Sequence, residues 1–192
     1  RSHKPPHIVS DADASIALFF AAFAIRYGYC GFMDRYICQV SDFSRTLSEA
    51  NNGLFTDAIN YYRFYLHKFL YPYGLHLLHI RSQSRVLLFQ CVCTALWSVV
   101  IYHIGRKAAN RQVGKSAAFM YILWPAHIIY TQIVTEEHLA ALFTSLIVFT
   151  VIDISQKIEK IEKIKSKDSI VAIIESFIAG GYCGLCAFFK DW

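Results

Sequence analysis

Long apolar blocks separated by short polar stretches limit what this chain can fold into. A helix needs about 20 mostly apolar residues to cross roughly 30 Å of hydrocarbon. Five blocks of nearly that length occupy residues 12–32, 86–104, 116–133, 138–154 and 170–189. Only 17% of the residues are charged, whereas soluble domains carry about a quarter. The sequence therefore predicts an all-α integral membrane protein with about five transmembrane helices.

Residues 33–85 are too polar to cross the membrane, but they are rich in tyrosine and histidine. Tyrosine is favoured at the membrane–water boundary. We therefore expect an outer loop that contains interfacial helices, with a turn between two of them at Pro72-Tyr73-Gly74. In the third block, Pro125 predicts a kink, and a neighbouring helix can satisfy the carbonyl that the proline leaves without a donor.

The basic residues predict an orientation. The linker at 105–115 carries four Lys or Arg residues and the run at 156–168 carries five lysines, whereas the linker at 131–137 carries none. Short loops rich in Lys and Arg stay cytoplasmic, so the first two face the cytoplasm and the 33–85 loop faces outward. The alternating charges of the 156–168 run are compatible with a membrane-surface helix or a partner-binding strip, but they are more typical of a solvated linker. The net charge of +5 is thus explained without a nucleic-acid partner.

Two acidic features, Asp57 and the pair Glu136-Glu137, fall on the same outer face. A carboxylate beside aromatic residues at the membrane surface can act as a general base for an acceptor hydroxyl. Alternatively, Asp57 caps the helix that follows it, and the two glutamates occupy the first turn of the fourth span, where the helix dipole favours them. The spacing of these residues leaves both interpretations open.

Three other features have structural alternatives. Arg26 interrupts the first block, where a charge is costly unless it reaches an interface or a polar cavity. His76 and His79 have a spacing compatible with a metal site, but no carboxylate or cysteine follows at ligand spacing, so we expect interfacial histidines and no metal. Most of the six cysteines lie in apolar blocks and act as small hydrophobes, although Cys30 and Cys38 can pair in an oxidising compartment.

Several short motifs occur in a fixed order along the chain. They are Arg26 near the end of the first block, Asp57-Ala58-Ile59-Asn60-Tyr61, Tyr71-Pro72-Tyr73-Gly74, Trp124-Pro125, Thr135-Glu136, and Gly180, Gly184 and Lys190 in the last block. This ordered set resembles the GT-C superfamily of membrane glycosyltransferases, in its protein O-mannosyltransferase-like branch. The resemblance covers nearly the whole chain. Because that family has more than five spans, the resemblance implies an N-terminal portion of such an enzyme.

The resemblance implies inverting transfer of a sugar from a polyprenyl-phosphate carrier to an acceptor protein or glycan on the outer or lumenal face. Asp57 would deprotonate the acceptor, and Glu136 would assist beside it. Basic residues near that face would hold the carrier phosphate. The implied substrate-binding residues are Tyr61, Arg63, Lys68, Arg81, Glu137 and Lys190. No cofactor and no metal are implied.

The main alternative is a non-catalytic scaffold or transporter-type subunit whose outer acidic residues bind a partner. An inactive relative of the enzymes is a third possibility. Transporters tend to place charges in mid-span on broken helices, whereas here the charges other than Arg26 lie at the ends of spans. This distribution favours the enzyme. The short linkers favour a bacterial cytoplasmic membrane over the endoplasmic reticulum.

Overall fold

The apolar blocks form helices in the computed structural model, which describes residues 10–33, 46, 48–51, 66–133 and 137–162. The helices are α1 (Asp11–Met33), α2 (Leu66–Leu77), α3 (Gln83–Ala108), α4 (Arg111–Leu123), α5 (Pro125–Tyr130) and α6 (Glu137–Glu162). No strand occurs in these described parts. Helices α1, α3 and α6 are long and apolar enough to cross a membrane. The all-α membrane class is confirmed. The count of five spans stays a prediction, because the 170–189 block lies outside the described residues.

Helix α3 is the centre of the bundle and packs against α1, α4 and α6. One of its buried faces carries Gln90, Thr94, Ser98 and Tyr102, and a spacing of four residues places them on one side of the helix. The Thr94 hydroxyl donates to the Gln90 carbonyl at 2.9 Å, and Ser98 donates to Ala95 at 2.6 Å. Small side chains whose polar groups are satisfied within their own helix allow close helix packing in a membrane.

The connection between α3 and α4 is much shorter than the 105–115 stretch that separates the predicted spans. Only Ala109 and Asn110 separate the two helices. The Asn110 Oδ1 atom accepts hydrogen bonds from the backbone N–H groups of Gln112 at 2.9 Å and Val113 at 3.0 Å. This is an N-cap, and it starts α4 inside a stretch whose charges suggested a loop.

Two glycines allow α3 and α4 to turn back on each other so tightly. A Cβ atom added to Gly105 would lie 2.8 Å from the Cα atom of Gly114. A Cβ atom added to Gly114 would meet the carbonyl oxygen of Tyr102 and, at 2.9 Å, the backbone nitrogen of Arg106. The two helix backbones are therefore in direct contact at this point.

The turn predicted at Pro72-Tyr73-Gly74 is wrong, because α2 continues through these residues. The helix ends instead at Leu77, and His79, two residues later, has a φ of 57°. The N–H groups of His79 and Ile80 donate to the carbonyls of His76 and Leu75, at 3.0 and 2.8 Å. This pair of bonds is a Schellman motif, in which one left-handed residue closes the helix.

Burial explains why α2 tolerates its proline. Tyr71 and Leu75 pack in a cluster with Ala50, Val86 and Leu87, against which Leu139 also lies. The apolar area removed from water by such contacts outweighs a local turn preference. The cluster also brings the 33–85 region and the beginnings of α3 and α6 to the same end of the bundle.

The sequence predicts that a linker begins at residue 156, after the fourth block, but the chain is still helical there. Helix α6 continues to Glu162, and the rest of the run lies outside the described residues. Asp153 pairs with Lys157 one turn later, at 3.0 Å, which supports a helix. Gln156 also donates to the Lys107 carbonyl of α3 at 2.8 Å.

Charged side chains gather at one end of the bundle, which we call the ionic end. Asp11 accepts hydrogen bonds from Tyr102 at 2.7 Å and Arg106 at 2.7 Å, and lies 3.3 Å from Arg111. Lys107 pairs with Asp153. The beginnings of α1 and α4, the last turn of α3 and the second half of α6 therefore lie together. The count of basic residues predicts this grouping and assigns the ionic end to the cytoplasmic side, an assignment that stays a prediction.

Candidate functional site

The third apolar block is broken, as the proline predicts. Helix α4 ends at Leu123 and α5 starts at Pro125, with an extended Trp124 between them. Because Pro125 has no N–H group, the carbonyl of Tyr121 loses its helical donor. The Trp124 N–H group and the Arg26 Nη2 atom each donate to this oxygen at 3.3 Å. A neighbouring helix thus satisfies the carbonyl, as expected in a membrane.

Arg26 is completely buried inside the bundle. Its guanidinium carbon lies 4.7 Å from the centre of the Tyr121 ring, and Nη1 donates to the Ala22 carbonyl at 3.4 Å. The Nε atom has no hydrogen-bond partner, and within the described ranges no carboxylate pairs with this side chain. By helical rise it lies about 10 Å from the Met33 end of α1.

Three rings from three helices surround the break, and we call them the ring cluster: Trp97 of α3, Tyr121 of α4 and His127 of α5. The ring centres lie 4.8 Å apart for Trp97 and Tyr121, 5.2 Å for Trp97 and His127, and 5.1 Å for Tyr121 and His127. With Arg26 stacked on Tyr121, four helices meet here. Such mutual ring contacts add to the energy of burial.

A cavity of about 490 Å³ opens beside the ring cluster, between α3, α5 and α6. Trp97 and His127 form one wall, and Glu137 and His138 contribute from the start of α6. The volume falls within the range of about 300–1,000 Å³ found for small-molecule sites. We call this the cavity end of the bundle, because it lies opposite the ionic end.

The polar groups of the cavity are largely fixed by the backbone. His138 is buried, and its Nε2 atom lies 2.9 Å from the carbonyl of Tyr130, so this nitrogen donates. Thr144 donates to its own helix, at the Ala140 carbonyl, 2.8 Å away. Glu137 is exposed in the first turn of α6, a position that the helix dipole favours for a carboxylate. The cavity therefore presents an exposed acid, a fixed imidazole and an indole face.

The structure describes only some of the site residues predicted from the sequence. Glu137 lines the cavity, and the exposed Arg81 precedes α3 at the same end of the bundle. Lys68 belongs to α2, with its side chain outside the described part. The other candidates lie outside the described residues: Asp57, Tyr61, Arg63, Glu136 and Lys190. The predicted base and its helper, Asp57 and Glu136, therefore stay predictions.

Most of the residues that form this site are not among those predicted from the sequence. They are Trp97, Tyr121, His127 and His138. A signal was available, because histidines inside apolar blocks are uncommon and mark functional positions more often than packing positions. His127 follows Pro125 by two residues, and His138 begins the fourth block.

The remaining histidines and cysteines have structural contacts. His76 Nδ1 lies 2.8 Å from the Ala50 carbonyl and thereby holds α2 against the loop. No group of three metal-ligating side chains occurs among the residues that the structure describes. The Sγ atoms of Cys30 and Cys91 lie 3.9 Å apart, buried between α1 and α3. The predicted partner Cys38 lies outside the described residues.

Comparisons with family models, curated proteins and solved structures find no match for this chain. The fold by itself defines the class of protein: an all-α integral membrane protein, whose described part contains three helices that can cross a bilayer.

Proposed function

We propose that this chain acts as a membrane glycosyltransferase that takes its sugar from a polyprenyl-phosphate carrier. The proposal rests on the ordered motifs in the sequence and on one structural observation. That observation is the cavity at the end of the bundle predicted to face outward, with Glu137 in its lining. A lipid-linked sugar must be reached from within the bilayer, and this cavity lies between helices of the membrane bundle.

The lining of the cavity suits a sugar. An indole presents a flat apolar face, and Trp97 supplies one. Carboxylates accept hydrogen bonds from hydroxyl groups, and Glu137 is the exposed acid in the lining. Charge-assisted bonds of this kind are about twice as strong as neutral ones. In this role Glu137 positions the donor sugar, and Arg81 contributes positive charge for the carrier phosphate.

The reaction is a displacement at the anomeric carbon. The acceptor oxygen forms a bond to that carbon while the bond from the carbon to the carrier phosphate oxygen breaks. The phosphate leaves with the electron pair, and Asp57 takes the proton of the acceptor hydroxyl. Glu136 assists beside it. Attack opposite the leaving group inverts the configuration at the anomeric carbon.

The test is sugar transfer from a radiolabelled polyprenyl-phosphate hexose to acceptor peptides or glycans, with the chain reconstituted in liposomes. Loss of a general base lowers the rate by about 10²–10⁴-fold, so we expect Asp57→Asn to abolish measurable transfer. Glu137→Gln should raise KM for the lipid-linked sugar more than it lowers kcat, because its contact is made in the ground state as well.

Glu159→Gln is the matched control, since it makes the same chemical change in the last turn of α6, far from the cavity. It should leave transfer unchanged. Transfer that survives Asp57→Asn contradicts the assignment of the base. If no carrier sugar is transferred by the wild-type chain, the glycosyltransferase proposal is wrong.

A second candidate is a transporter-type or scaffold subunit, and one observation favours it. The helix break at Trp124 lies against the buried Arg26. Transporters commonly build their sites from discontinuous helices near mid-membrane. This candidate predicts that the polyprenyl-phosphate sugar raises the melting temperature of the chain without being transferred. Arg26→Met should then remove that thermal shift, whereas Asp57→Asn should not.

A further inference from the structure

A groove runs between α1 and α4 at the ionic end, on the opposite end of the bundle from the cavity. Its volume is about 440 Å³. Helix α1 contributes Asp13, Ala17 and Leu18 to its walls, and helix α4 contributes Lys115 and Phe119. We call it the α1–α4 groove. It is separate from the residues proposed to carry the sugar transfer.

The groove changes from charged to apolar with depth. Both helices begin at the ionic end, where Asp11 and Arg111 lie 3.3 Å apart, so residue number increases with depth on both walls. Asp13 and Lys115 are at the mouth. Ala17 and Phe119 follow one turn deeper, about 6 Å further along the helix axes. Phe119 is 59% exposed on this outer surface.

The two charges at the mouth do not neutralise each other. Lys115 makes no hydrogen bond or ion pair with any described residue, and it is half-buried. The Oδ2 atom of Asp13 accepts from the backbone N–H and hydroxyl of Ser10, at 3.0 and 2.7 Å. Its Oδ1 atom has no partner in the described part of the chain. An ammonium and a carboxylate therefore both line the mouth of a groove whose deeper walls are apolar.

We propose that this groove binds phosphatidylethanolamine. The lipid phosphate pairs with Lys115, the primary ammonium of the headgroup donates to Asp13 Oδ1, and an acyl chain lies along Ala17, Leu18 and Phe119. The pairing follows from charge complementarity. The headgroup of phosphatidylglycerol offers no cation, so Asp13 repels its phosphate. The quaternary ammonium of phosphatidylcholine has no N–H group and cannot make a charge-assisted bond.

The experiment measures lipid binding by native mass spectrometry of the purified chain. Phosphatidylethanolamine, phosphatidylcholine and phosphatidylglycerol are compared with identical acyl chains. We expect the wild-type chain to bind phosphatidylethanolamine about tenfold more tightly than phosphatidylcholine, the effect of one charge-assisted hydrogen bond. Lys115→Gln should weaken binding of all three lipids, because it removes the contact to their common phosphate.

Asp13→Asn is the discriminating variant. The amide oxygen of asparagine can still accept from Ser10, so the start of α1 is preserved, but the preference for ethanolamine over choline should disappear. Arg85→Gln removes an exposed cation at the opposite end of the bundle and serves as the control. It should leave all three affinities unchanged.

Equal binding of the ethanolamine and choline lipids by the wild-type chain would overturn the proposal, as would tighter binding of phosphatidylglycerol. An ethanolamine preference that persists in Asp13→Asn would also overturn it. Circular dichroism and a thermal melt of each variant show whether α1 and α4 remain folded, so a loss of binding through unfolding is recognised as such.

Discussion

The two ends of the bundle differ in how their positive charges are stabilised. At the ionic end, Arg106 and Arg111 face Asp11, and Lys107 faces Asp153. All of these side chains are partly exposed. At the cavity end, Arg26 is fully buried and is held by two carbonyls and a ring, with no carboxylate among the described residues.

This difference indicates different roles for the two ends. Opposite charges near water lower the energy of the folded state by small amounts and set how helices align. A buried cation without a counter-ion raises that energy, and intramembrane charges of this kind usually serve function. Arrangements that break the ordinary rules of folding concentrate at functional or strained sites. The ion pairs of the ionic end therefore align the helices, and the buried cation of the cavity end fits the sugar transfer proposed there.

The largest effect should come from Gly114, which maintains the ionic end. Gly114→Leu places a side chain against the backbone of α3, at the Tyr102 carbonyl and the Arg106 nitrogen. Because backbone atoms cannot move aside, the α3–α4 hairpin must open. Overpacking of this kind costs about 3 kcal/mol, and the melting temperature in detergent should fall accordingly.

Gly28→Leu is the matched control in α1, since a Cβ atom there meets nothing within 4 Å. It should melt close to the wild-type temperature. If both variants melt alike, the tight α3–α4 contact does not hold the ionic end together.

Arg26→Met should change the stability of the fold less than Gly114→Leu does, and in the opposite direction. Insertion of an arginine at the centre of a membrane helix costs roughly 2.5–3.5 kcal/mol. Part of that cost is offset here by the bond to the Tyr121 carbonyl. We expect the variant to be more stable by about 1–2 kcal/mol. Loss of binding of the lipid-linked sugar in the same variant is expected for the transporter-type candidate and not for the enzyme.

Arg26→Lys keeps the charge but loses the planar group that stacks on Tyr121, and it should gain no stability. A decrease in stability of Arg26→Met would contradict the comparison. Arg26 would then be only the donor that satisfies the break at Pro125, and both ends of the bundle would serve stability.

Hydropathy alone predicts the membrane class and the positions of α1, α3 and α6. The block at 86–104 is contained in α3, which extends from Gln83 to Ala108, because polar helix ends continue beyond the apolar core of a membrane. The break at Pro125 is also predictable, since the missing N–H group is a local property of that residue.

Local sequence patterns do not predict contacts between residues that are far apart in the chain. Arg26 and Tyr121 are 95 positions apart, and no periodicity relates them. The same limit explains the error at Pro72, where packing of Tyr71 and Leu75 against α3 overrides a local turn preference. The ring cluster forms only when α3, α4 and α5 meet, so its residues could be noticed in the sequence but not joined into a site.

The smallest effect we predict concerns the pair Lys107 and Asp153, whose side chains are 27% and 25% exposed. A double-mutant cycle with Lys107→Gln and Asp153→Asn should give a coupling of about 0.5–1 kcal/mol, measured from denaturant unfolding in detergent. The coupling should decrease in molar salt, which screens partly exposed charges.

The effect of Arg26→Met should not respond to salt, because no ions reach a side chain with 0% exposure. The dependence of stability on salt concentration therefore distinguishes the two ends within one set of measurements. A coupling near zero for Lys107 and Asp153 means that packing, with the contact of Lys107 over the Phe149 ring at 4.8 Å, aligns α3 and α6. A salt-sensitive gain in Arg26→Met means that water reaches the break at Trp124, and the cavity then extends to Arg26 itself.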